Sequence, residues 1–422
     1  MRDSNAFISP EACMQGEYII ATYYIELPCE ADALSKAASM ASGQSVGTWI
    51  DVPGITDEVR QKHLAKVVRV LDAPPYELTS QIHSDTRAYL FEFAFPTVNF
   101  GKQFPMMITT LLGNDASTSA QTKLVDVRFP PGFVGGFDGP AYGIKGVRKL
   151  CGVYDRPLVL NMIKPCTGLT PEQGARIFYD TALGGVDFIK DDELLGNTSF
   201  SEAAARVRAY NEASRSAYEV TGKETIYICN ITDDASTIED TLKAVIDAGA
   251  KAVMMCFSAL GYSLFQKISK MAEVPVLGHF AASGAVSEGV TSGMSSSLSV
   301  GKFPRLAGAD MVMINTPYGG YPLTRSRYLA TADALTGQLY NIKPTMPITG
   351  GGVHPGMTGR LVDDLGMDII IAAGGAIQGH PMGPTAGARA MMQSVEAAVL
   401  KLDVSDYAAE REELQKALSY LL

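Results

Sequence analysis

The residues best suited to chemistry lie in one short segment, GGVDFIKDDE at residues 184–193. Its apolar part ends directly in Lys190, Asp191, Asp192 and Glu193. A buried strand with this sequence would place one lysine and three carboxylates at one edge of a sheet. Carboxylate oxygens are the ligands that Mg²⁺ prefers, so the segment indicates a magnesium site. The same residues would also suit a solvated turn, and the surrounding elements decide between the two.

The elements that must position these residues are short apolar strands alternating with amphipathic helices. Near-continuous hydrophobic strands separated by helices are typical of a parallel sheet that is buried on both faces. Eight such units in about 240 residues match the size of a TIM (β/α)8 barrel. The predicted strands lie within residues 156–165, 184–193, 224–232, 250–259, 274–282, 309–317, 345–354 and 368–377.

The C-terminal ends of the strands carry the active site in barrels of this kind. Besides residues 190–193, the predicted strand ends hold Lys164, Asn230, His279 and Asn315. We therefore expect these side chains to meet at one end of the barrel.

Glycine clusters follow the last two predicted strands. Glycines there let backbone N–H groups approach an anion, and a phosphate site after strands seven and eight is a recurrent barrel feature. Tight turns without a ligand are the alternative interpretation. The clusters are Gly350-Gly351-Gly352 and Gly374-Gly375.

The first part of the chain has a different pattern of apolar residues, which predicts a separate α+β domain of the ferredoxin-like type. Aromatic and β-branched residues indicate two strands, and helical spacing of apolar residues indicates two helices. The predicted strands are 18–27 and 87–96, the helices 32–43 and 56–70, and the domains 1–135 and 136–422 with C-terminal helices.

The composition restricts the class of protein. The 422 residues are 46% hydrophobic and carry a net charge of −10, which disfavours nucleic acid or an anionic membrane as partner. The chain shows no signal peptide, no apolar run of about 20 residues and no CxxC or HExxH spacing. We therefore expect a cytoplasmic globular protein with free thiols and no zinc site.

The strand-end motifs, taken in order, resemble the large subunit of ribulose-bisphosphate carboxylase over nearly the whole chain. The N-terminal domain adds two short motifs which in that family reach into a neighbouring subunit's site. The motifs are IKPCTGLTP (163–171), GGVDFIKDDE (184–193), GHF (278–280), GHPMGPTAGA (379–388), GTW (47–49) and GN (113–114).

Several departures from that family indicate its non-fixing branch, the ribulose-bisphosphate carboxylase-like proteins of form IV. The carboxylases have a mobile loop after strand six with a lysine that covers CO₂, whereas NTPYGGY (315–321) contains no lysine. The other departures are Phe280 for a phosphate-binding arginine, Met313 for a histidine, Gly350 for a serine, Cys166 for a second active-site lysine, and Gly43 near an expected acid.

The resemblance implies roles for the strand-end residues. Lys190 would be carbamylated by CO₂, and the carbamate would bind Mg²⁺ together with Asp192 and Glu193. Lys164 would transfer protons at the substrate carbon, provided that its pKa is lowered. His279 would polarise a second oxygen, although on residue type alone it could equally be a core histidine.

The resemblance also assigns residues to binding and support. One phosphate would bind at Gly351, Gly352, Gly374 and Gly375. In a homodimer, Thr48, Trp49 and Asn114 would complete the partner's site, with Trp49 alternatively a core aromatic. Three further acids are interpreted as support rather than ligands: Asp187 beside the metal ligands, Asp191 as a brace, and Asp310 as a structural residue.

Three enolising reactions fit this apparatus, and the resemblance favours decarboxylation. The preferred expectation is a 3-oxo-isoapionate-4-phosphate decarboxylase, or the related transcarboxylase/hydrolase. The alternatives are a 5-methylthioribulose-1-phosphate isomerase, a 2,3-diketo-5-methylthiopentyl-1-phosphate enolase, and a non-catalytic regulatory protein. None of these readings includes CO₂ fixation, because the loop lysine is absent.

Overall fold

The computed structural model describes residues 6–47 and 52–421, and the chain divides into two compact units. The first comprises Met1–Phe137 together with Ala282–Ser299, and the second comprises Asp138–Ala281 and Val300–Leu422. The sequence analysis predicted that residues 282–299 belong to the barrel domain, whereas they belong to the first unit. Backbone bonding explains the difference, since Leu124 pairs with Met294 in an isolated parallel bridge inside the first unit.

The first unit is built on a four-stranded antiparallel sheet with the order β2-β3-β1-β4. Alternate residues of the first strand are buried, as expected for a sheet with one covered face. Helices lie between the first and second strands and between the third and fourth, which is the predicted ferredoxin-like sequence of elements. The strands are β1 (Tyr18–Pro28), β2 (Lys66–Ala73), β3 (Thr86–Pro96) and β4 (Lys123–Arg128).

The predicted helix over residues 56–70 is wrong in its second half. The helix ends at His63, and residues from Lys66 onward form the edge strand β2, which pairs with β3. β-Branched residues favour a strand, and Val67, Val68 and Val70 lie in this stretch. Pairing with a neighbouring strand therefore overrides the helical spacing.

The second unit is a closed barrel of eight parallel strands, which confirms the predicted TIM-like fold. The ring order is β10-β11-β12-β5-β6-β7-β8-β9, so consecutive strands are neighbours and the first pairs with the last. The strands are β5 (Leu158–Met162), β6 (Phe188–Lys190), β7 (Ile226–Asn230), β8 (Ala252–Cys256), β9 (Val276–His279), β10 (Met311–Asn315), β11 (Met346–Gly350) and β12 (Ile370–Ala373).

Helix boundaries follow local signals where these are strong. The helix after β5 begins at Pro171, and Thr170 and Gln173 form the capping box that the sequence predicts. Within the described ranges, no helix is long and apolar enough to cross a membrane. The helices are α1 (Pro10–Cys13), α2 (Ala33–Gly43), α3 (Asp57–His63), α4 (Phe104–Leu111), α5 (Pro131–Val134), α6 (Gly143–Cys151), α7 (Pro171–Ala182), α8 (Ala203–Thr221), α9 (Ile238–Asp247), α10 (Phe257–Leu260), α11 (Tyr262–Met271), α12 (Gly284–Ser287), α13 (Phe303–Leu306), α14 (Arg325–Thr336), α15 (Thr358–Leu365), α16 (Gly375–Gln378), α17 (Pro384–Val399), α18 (Val404–Ala408) and α19 (Glu412–Leu421).

Asp187 lies at the N-terminal end of β6, opposite the end that carries the 190–193 cluster, so its predicted place beside the metal ligands is wrong. Its buried carboxylate accepts two hydrogen bonds of 2.8 Å from Arg156 and lies 3.0 Å from Lys223 Nζ. Burial acts to raise the pKa of Asp187, but the two cations outweigh it and the pKa lies below its usual value. Asp187 is therefore a structural residue held by ion pairs. Asp310 is structural too, but it is held by backbone N–H groups, including those of Tyr142 and Gly143.

Replacing Asp187 with asparagine is expected to lower the free energy of unfolding at pH 7 by about 3–5 kcal/mol, because two cations lose a buried partner. A carboxylate with a depressed pKa stabilises the fold above its unfolded pKa of about 3.9, and that contribution is lost as pH falls through the folded value. The difference between the urea midpoints of the two proteins should therefore stay constant from pH 7 to about pH 4 and narrow only as the pH falls further. Asp240→Asn, at an exposed pair with Lys243, is the control and should shift stability by less than about 0.5 kcal/mol.

Candidate active site

The C-terminal ends of the barrel strands bring the predicted residues to one edge. Lys190, Asn230, His279 and Asn315 are the last residues of β6, β7, β9 and β10. Lys164 follows β5 by two residues. In a parallel barrel all these ends point the same way, and the polar side chains therefore share one rim.

Lys164 and Asp192 form the shortest charged contact of this cluster. Lys164 Nζ donates to Asp192 Oδ2 at 2.7 Å and to Cys166 Sγ at 3.0 Å. Burial opposes the charge on Lys164, but its bonds to Asp192 and Cys166 outweigh burial, and the pKa of Lys164 is raised. The sequence analysis required a lowered pKa for Lys164, and the structure instead gives a raised one because the Asp192 carboxylate is a direct partner. The same contact holds the pKa of Asp192 below its usual value despite burial.

Lys190 is fully buried, and its amine lies among carboxylates. Its Nζ donates to the carbonyl oxygen of Asp191 at 2.8 Å and lies 3.7 Å from Glu193 Oε2. Burial lowers the pKa of Lys190, and the nearby carboxylates offset this effect only in part. A lowered pKa favours the neutral amine, which is the nucleophilic form.

His279 joins the same cluster as a neutral side chain. Burial and the charge of Lys190 hold its pKa well below the usual value. The N–H of Ala281 donates to Nδ1 at 3.1 Å, so the ring proton is assigned to Nε2. Nε2 lies 3.3 Å from Glu193 Oε2, and it can donate a hydrogen bond to an oxygen in this position.

A buried network beneath the 190–193 turn holds it in place. Asp191 Oδ2 accepts from Tyr227 Oη at 2.6 Å, from Asn230 N at 2.9 Å and from Arg206 Nη2 at 3.1 Å. Asn230 Nδ2 also donates to the carbonyl oxygens of Asp192 and Glu193. Asp191 is therefore a brace, as the sequence predicts. Arg206 and Tyr227 were missed, because no local pattern distinguishes them from ordinary helix and strand residues.

The glycine turns after β11 and β12 lie on the same rim. Gly351 and Gly352 adopt φ of +87° and +83°, a region that favours glycine. Within the described residues, the N–H groups of Gly351, Gly352, Gly374 and Gly375 have no backbone acceptor. A Cβ added to Gly374 would lie 3.5 Å from Lys164 Cε, so this turn adjoins Lys164. Free amides beside a lysine suit an anion.

Apolar side chains border the polar cluster. Met162 and Phe280 pack against the barrel core, and the Phe280 ring stacks on His279 with centroids 5.0 Å apart. A Cβ added to Gly350 would lie 2.6 Å from Met313 Cε, so the methionine fills space that a larger residue at 350 would need. The two differences from the carboxylases at residues 313 and 350 therefore depend on each other, because Met313 as placed leaves room only for a glycine at residue 350.

Two family models match the chain. The model for the catalytic domain of the ribulose bisphosphate carboxylase large chain covers residues 143–421, and the model for its N-terminal domain covers residues 6–133. The chain belongs to the ribulose bisphosphate carboxylase large-chain family.

Relatives within this family include proteins of the carboxylase-like branch, which confirms that prediction. A ribulose bisphosphate carboxylase-like protein from Archaeoglobus fulgidus is 42% identical over 419 residues, with 97% of this chain and 96% of that protein covered. A 2,3-diketo-5-methylthiopentyl-1-phosphate enolase from Geobacillus kaustophilus is 34% identical, with 95% and 97% covered. The crystal structure of a rubisco-like protein, MtnW, from Alicyclobacillus acidocaldarius superposes with a TM-score of 0.87 at 29% identity, covering 96% of this chain and 100% of that one.

The family's N-terminal site motifs fall partly outside the described residues. Thr48 and Trp49 are outside the described residues. Asn114 is described, and it is an exposed residue of the first unit. The carboxylate of Asp115 occupies the space beside Gly43, since a Cβ at Gly43 would lie 1.7 Å from Asp115 Oδ2. A carboxylate, that of Asp115, is thus present beside residue 43 although residue 43 itself is a glycine. The order of residues along the chain does not reveal this contact. That these residues complete a partner's site in a homodimer stays a prediction.

The ribulose bisphosphate carboxylase family implies Mg²⁺ at this end of the barrel, and the charges of the residues present decide whether they suit it. The described residues contain no group of three His, Cys, Asp or Glu side chains placed to hold a metal ion. Two amines, Lys164 and Lys190, face two carboxylates, Asp192 and Glu193, so the cluster has no net charge when both amines are protonated. A carbamate on Lys190 would change its charge from +1 to −1 and add a third anionic oxygen ligand. The residues therefore fit Mg²⁺ once Lys190 is carbamylated.

Proposed function

We propose that this chain enolises a small ketone that carries one phosphate, and that its substrate is of the 2,3-diketo-5-methylthiopentyl 1-phosphate type. The observation that supports this most directly is the contact of Lys164 with Asp192 in the cluster that holds Lys190, Glu193 and His279. Similarity to the Geobacillus enolase favours this alternative over the 3-oxo-isoapionate-4-phosphate decarboxylase that the sequence analysis preferred.

Carbamylated Lys190, Asp192 and Glu193 would hold Mg²⁺, which supplies Lewis-acid polarisation of a substrate carbonyl when bound. Around that position the chain offers a proton carrier and a hydrogen-bond donor. The contact with Asp192 raises the pKa of Lys164, and Asp192 would release the amine on turning to Mg²⁺. Lys164 Nζ would then remove or return the proton at the carbon beside the carbonyl. His279, neutral and protonated on Nε2, donates to a substrate oxygen and stabilises the charge that develops there.

The rest of the pocket orients the substrate. The unpaired amides of Gly351, Gly352, Gly374 and Gly375 bind the phosphate. Gly374 adjoins Lys164, so an anion at that turn would keep the reacting carbon close to the amine. The apolar surface of Met162 and Phe280 suits the methylthio end of such a substrate better than a second phosphate.

We expect this diketo phosphate, incubated with the protein, Mg²⁺ and bicarbonate in D₂O, to take up deuterium beside the carbonyl without releasing CO₂. Enolisation removes a proton from carbon, and its reversal in D₂O returns a deuteron to the same carbon. Neither step breaks a carbon–carbon bond, whereas decarboxylation breaks one. NMR measures the deuterium, and a coupled assay measures CO₂. Ribulose bisphosphate with labelled bicarbonate is the control, and label in phosphoglycerate should not exceed the no-enzyme background, because the 315–321 loop has no lysine.

Two outcomes would contradict the proposal. Release of CO₂ from 3-oxo-isoapionate 4-phosphate, with no deuterium uptake by the diketone, would identify a decarboxylase instead. Labelled phosphoglycerate above background would show that the chain fixes CO₂ despite the departures at residues 280 and 315–321.

A further inference from the structure

The loop at residues 315–321 follows β10 and is bonded along its length to the glycine turn after β11. The N–H of Thr316 donates to Gly350 O at 3.1 Å, and the N–H of Gly320 donates to Gly351 O at 3.1 Å. The loop and the turn that exposes the anion-binding amides therefore form one bonded unit.

Glycines make this close approach possible. A Cβ on Gly319 would lie 1.7 Å from Gly351 O, and a Cβ on Gly352 would lie 2.7 Å from Gly320 N. Real Cβ atoms do not come so near to backbone atoms, so any larger residue would push the two segments apart.

A side-chain anchor holds the loop from its outer side. Tyr318 Oη donates to Asp364 Oδ2 at 2.6 Å, and Arg325 Nε donates to Oδ1 of the same carboxylate at 3.1 Å. Only 5% of the Asp364 side chain is exposed. The Arg360 guanidinium lies 4.7 Å from the centre of the Tyr318 ring, within cation–π range. All these partners belong to the chain itself.

Tyr321, at the end of this loop, covers the glycine turn. A Cβ added to Gly351 would lie 2.8 Å from Tyr321 Cδ2 and 2.9 Å from Asn315 Oδ1. The tyrosine is nevertheless half exposed. Its ring thus lies against the Gly351 backbone with one side open to solvent or ligand.

We infer that residues 315–321 form a fixed wall of the substrate pocket, in which Tyr321 is a specificity-determining residue that shields the Gly351 turn and Tyr318 is a positioning residue. The Tyr321 ring excludes water from one side of the exposed amides, and hydrogen bonds to an anion are stronger where water is excluded. The site then takes a single phosphate at the end of a small molecule. This inference deepens the proposed function and rests on it for the identity of the anion.

Hydrogen exchange and inorganic phosphate binding test the inference without turnover. Exchange of the amides in residues 311–324 is expected to be slow in the protein alone and unchanged by saturating phosphate. Tyr318→Phe, which removes the partly buried hydrogen bond to Asp364, should speed this exchange about tenfold. Tyr218→Phe, at an exposed tyrosine on α8, is the matched control and should leave the exchange unchanged.

The role of Tyr321 is tested by a pair of substitutions. Tyr321→Ala removes the ring and should weaken phosphate binding about tenfold, whereas Tyr321→Phe keeps the ring and should bind within about twofold of the unaltered protein. Calorimetry gives both dissociation constants. If Tyr318→Phe does not fold, Arg325→Gln breaks the same anchor at an exposed residue and should speed exchange in the same way.

Fast exchange in the unaltered protein that phosphate slows would show a hinged lid and overturn the inference. Unchanged phosphate affinity in Tyr321→Ala would also overturn it. These readouts are independent of catalysis, so a protein with a protected loop but no enolisation would contradict the proposed function alone. A protein that enolises its substrate but has an unprotected loop would contradict this inference alone.

Discussion

Replacing Lys190 with alanine is expected to lower turnover of the keto phosphate by about 10³-fold or more. The amine is fully buried between the Asp191 carbonyl and Glu193, and it is the group to which CO₂ would add to form the carbamate. Without it the site retains two carboxylates, which offer too few anionic oxygens for Mg²⁺. Loss of the metal would remove several kcal/mol of charge stabilisation from the transition state.

Metal binding and activation give separate readouts of this prediction. Activity of the unaltered protein should rise after preincubation with bicarbonate and Mg²⁺ and disappear in a chelator. Lys190→Ala should bind Mn²⁺, used as a probe for Mg²⁺, more weakly in calorimetry. Lys243→Ala, at an exposed lysine on α9, is the control and should behave like the unaltered protein. Full activity in Lys190→Ala, or activity that a chelator does not affect, would reject the metal-assisted mechanism.

Replacing Lys164 with alanine is expected to lower kcat by about 10²–10⁴-fold, the usual contribution of a general acid or base. Its Nζ lies 2.7 Å from Asp192 and its side chain adjoins Gly374, so it stands between the proposed metal ligands and the proposed anion site. Because Lys164 contacts the proposed ligand Asp192 and is not itself a proposed ligand, Mn²⁺ should still bind to Lys164→Ala.

The contrast between the two lysines distinguishes proton transfer from metal binding. Lys164→Ala should lose deuterium exchange at the substrate carbon while it retains phosphate and Mn²⁺ binding, and Lys190→Ala should lose exchange and Mn²⁺ binding together. Cys166→Ser provides a control at the second partner of Lys164, since serine can still accept the 3.0 Å hydrogen bond. Unchanged exchange in Lys164→Ala would assign proton transfer to another residue.

The sequence by itself determined the barrel, the positions of its strand ends and the family. Apolar strands such as Leu158–Met162 carry their own signal, because strands buried on both faces need hydrophobic residues at nearly every position. The start of α7 was also predictable, since the capping box of Thr170 and Gln173 is a local interaction. Polar residues that directly follow such strands, Lys190 to Glu193 above all, were therefore placed at the correct end of the barrel.

Only the tertiary structure decided which partners these residues have. It pairs Lys164 with Asp192 and so raises its pKa, and it places Asp187 with Arg156 and Lys223 at the opposite end of β6. Partners such as Arg206, Asp364 and Asp115 come from distant segments of the chain, and no spacing of residues in the sequence predicts these contacts. Helix and strand signals depend on neighbours within a few residues, whereas pKa values and anchoring depend on charges and burial brought together by folding.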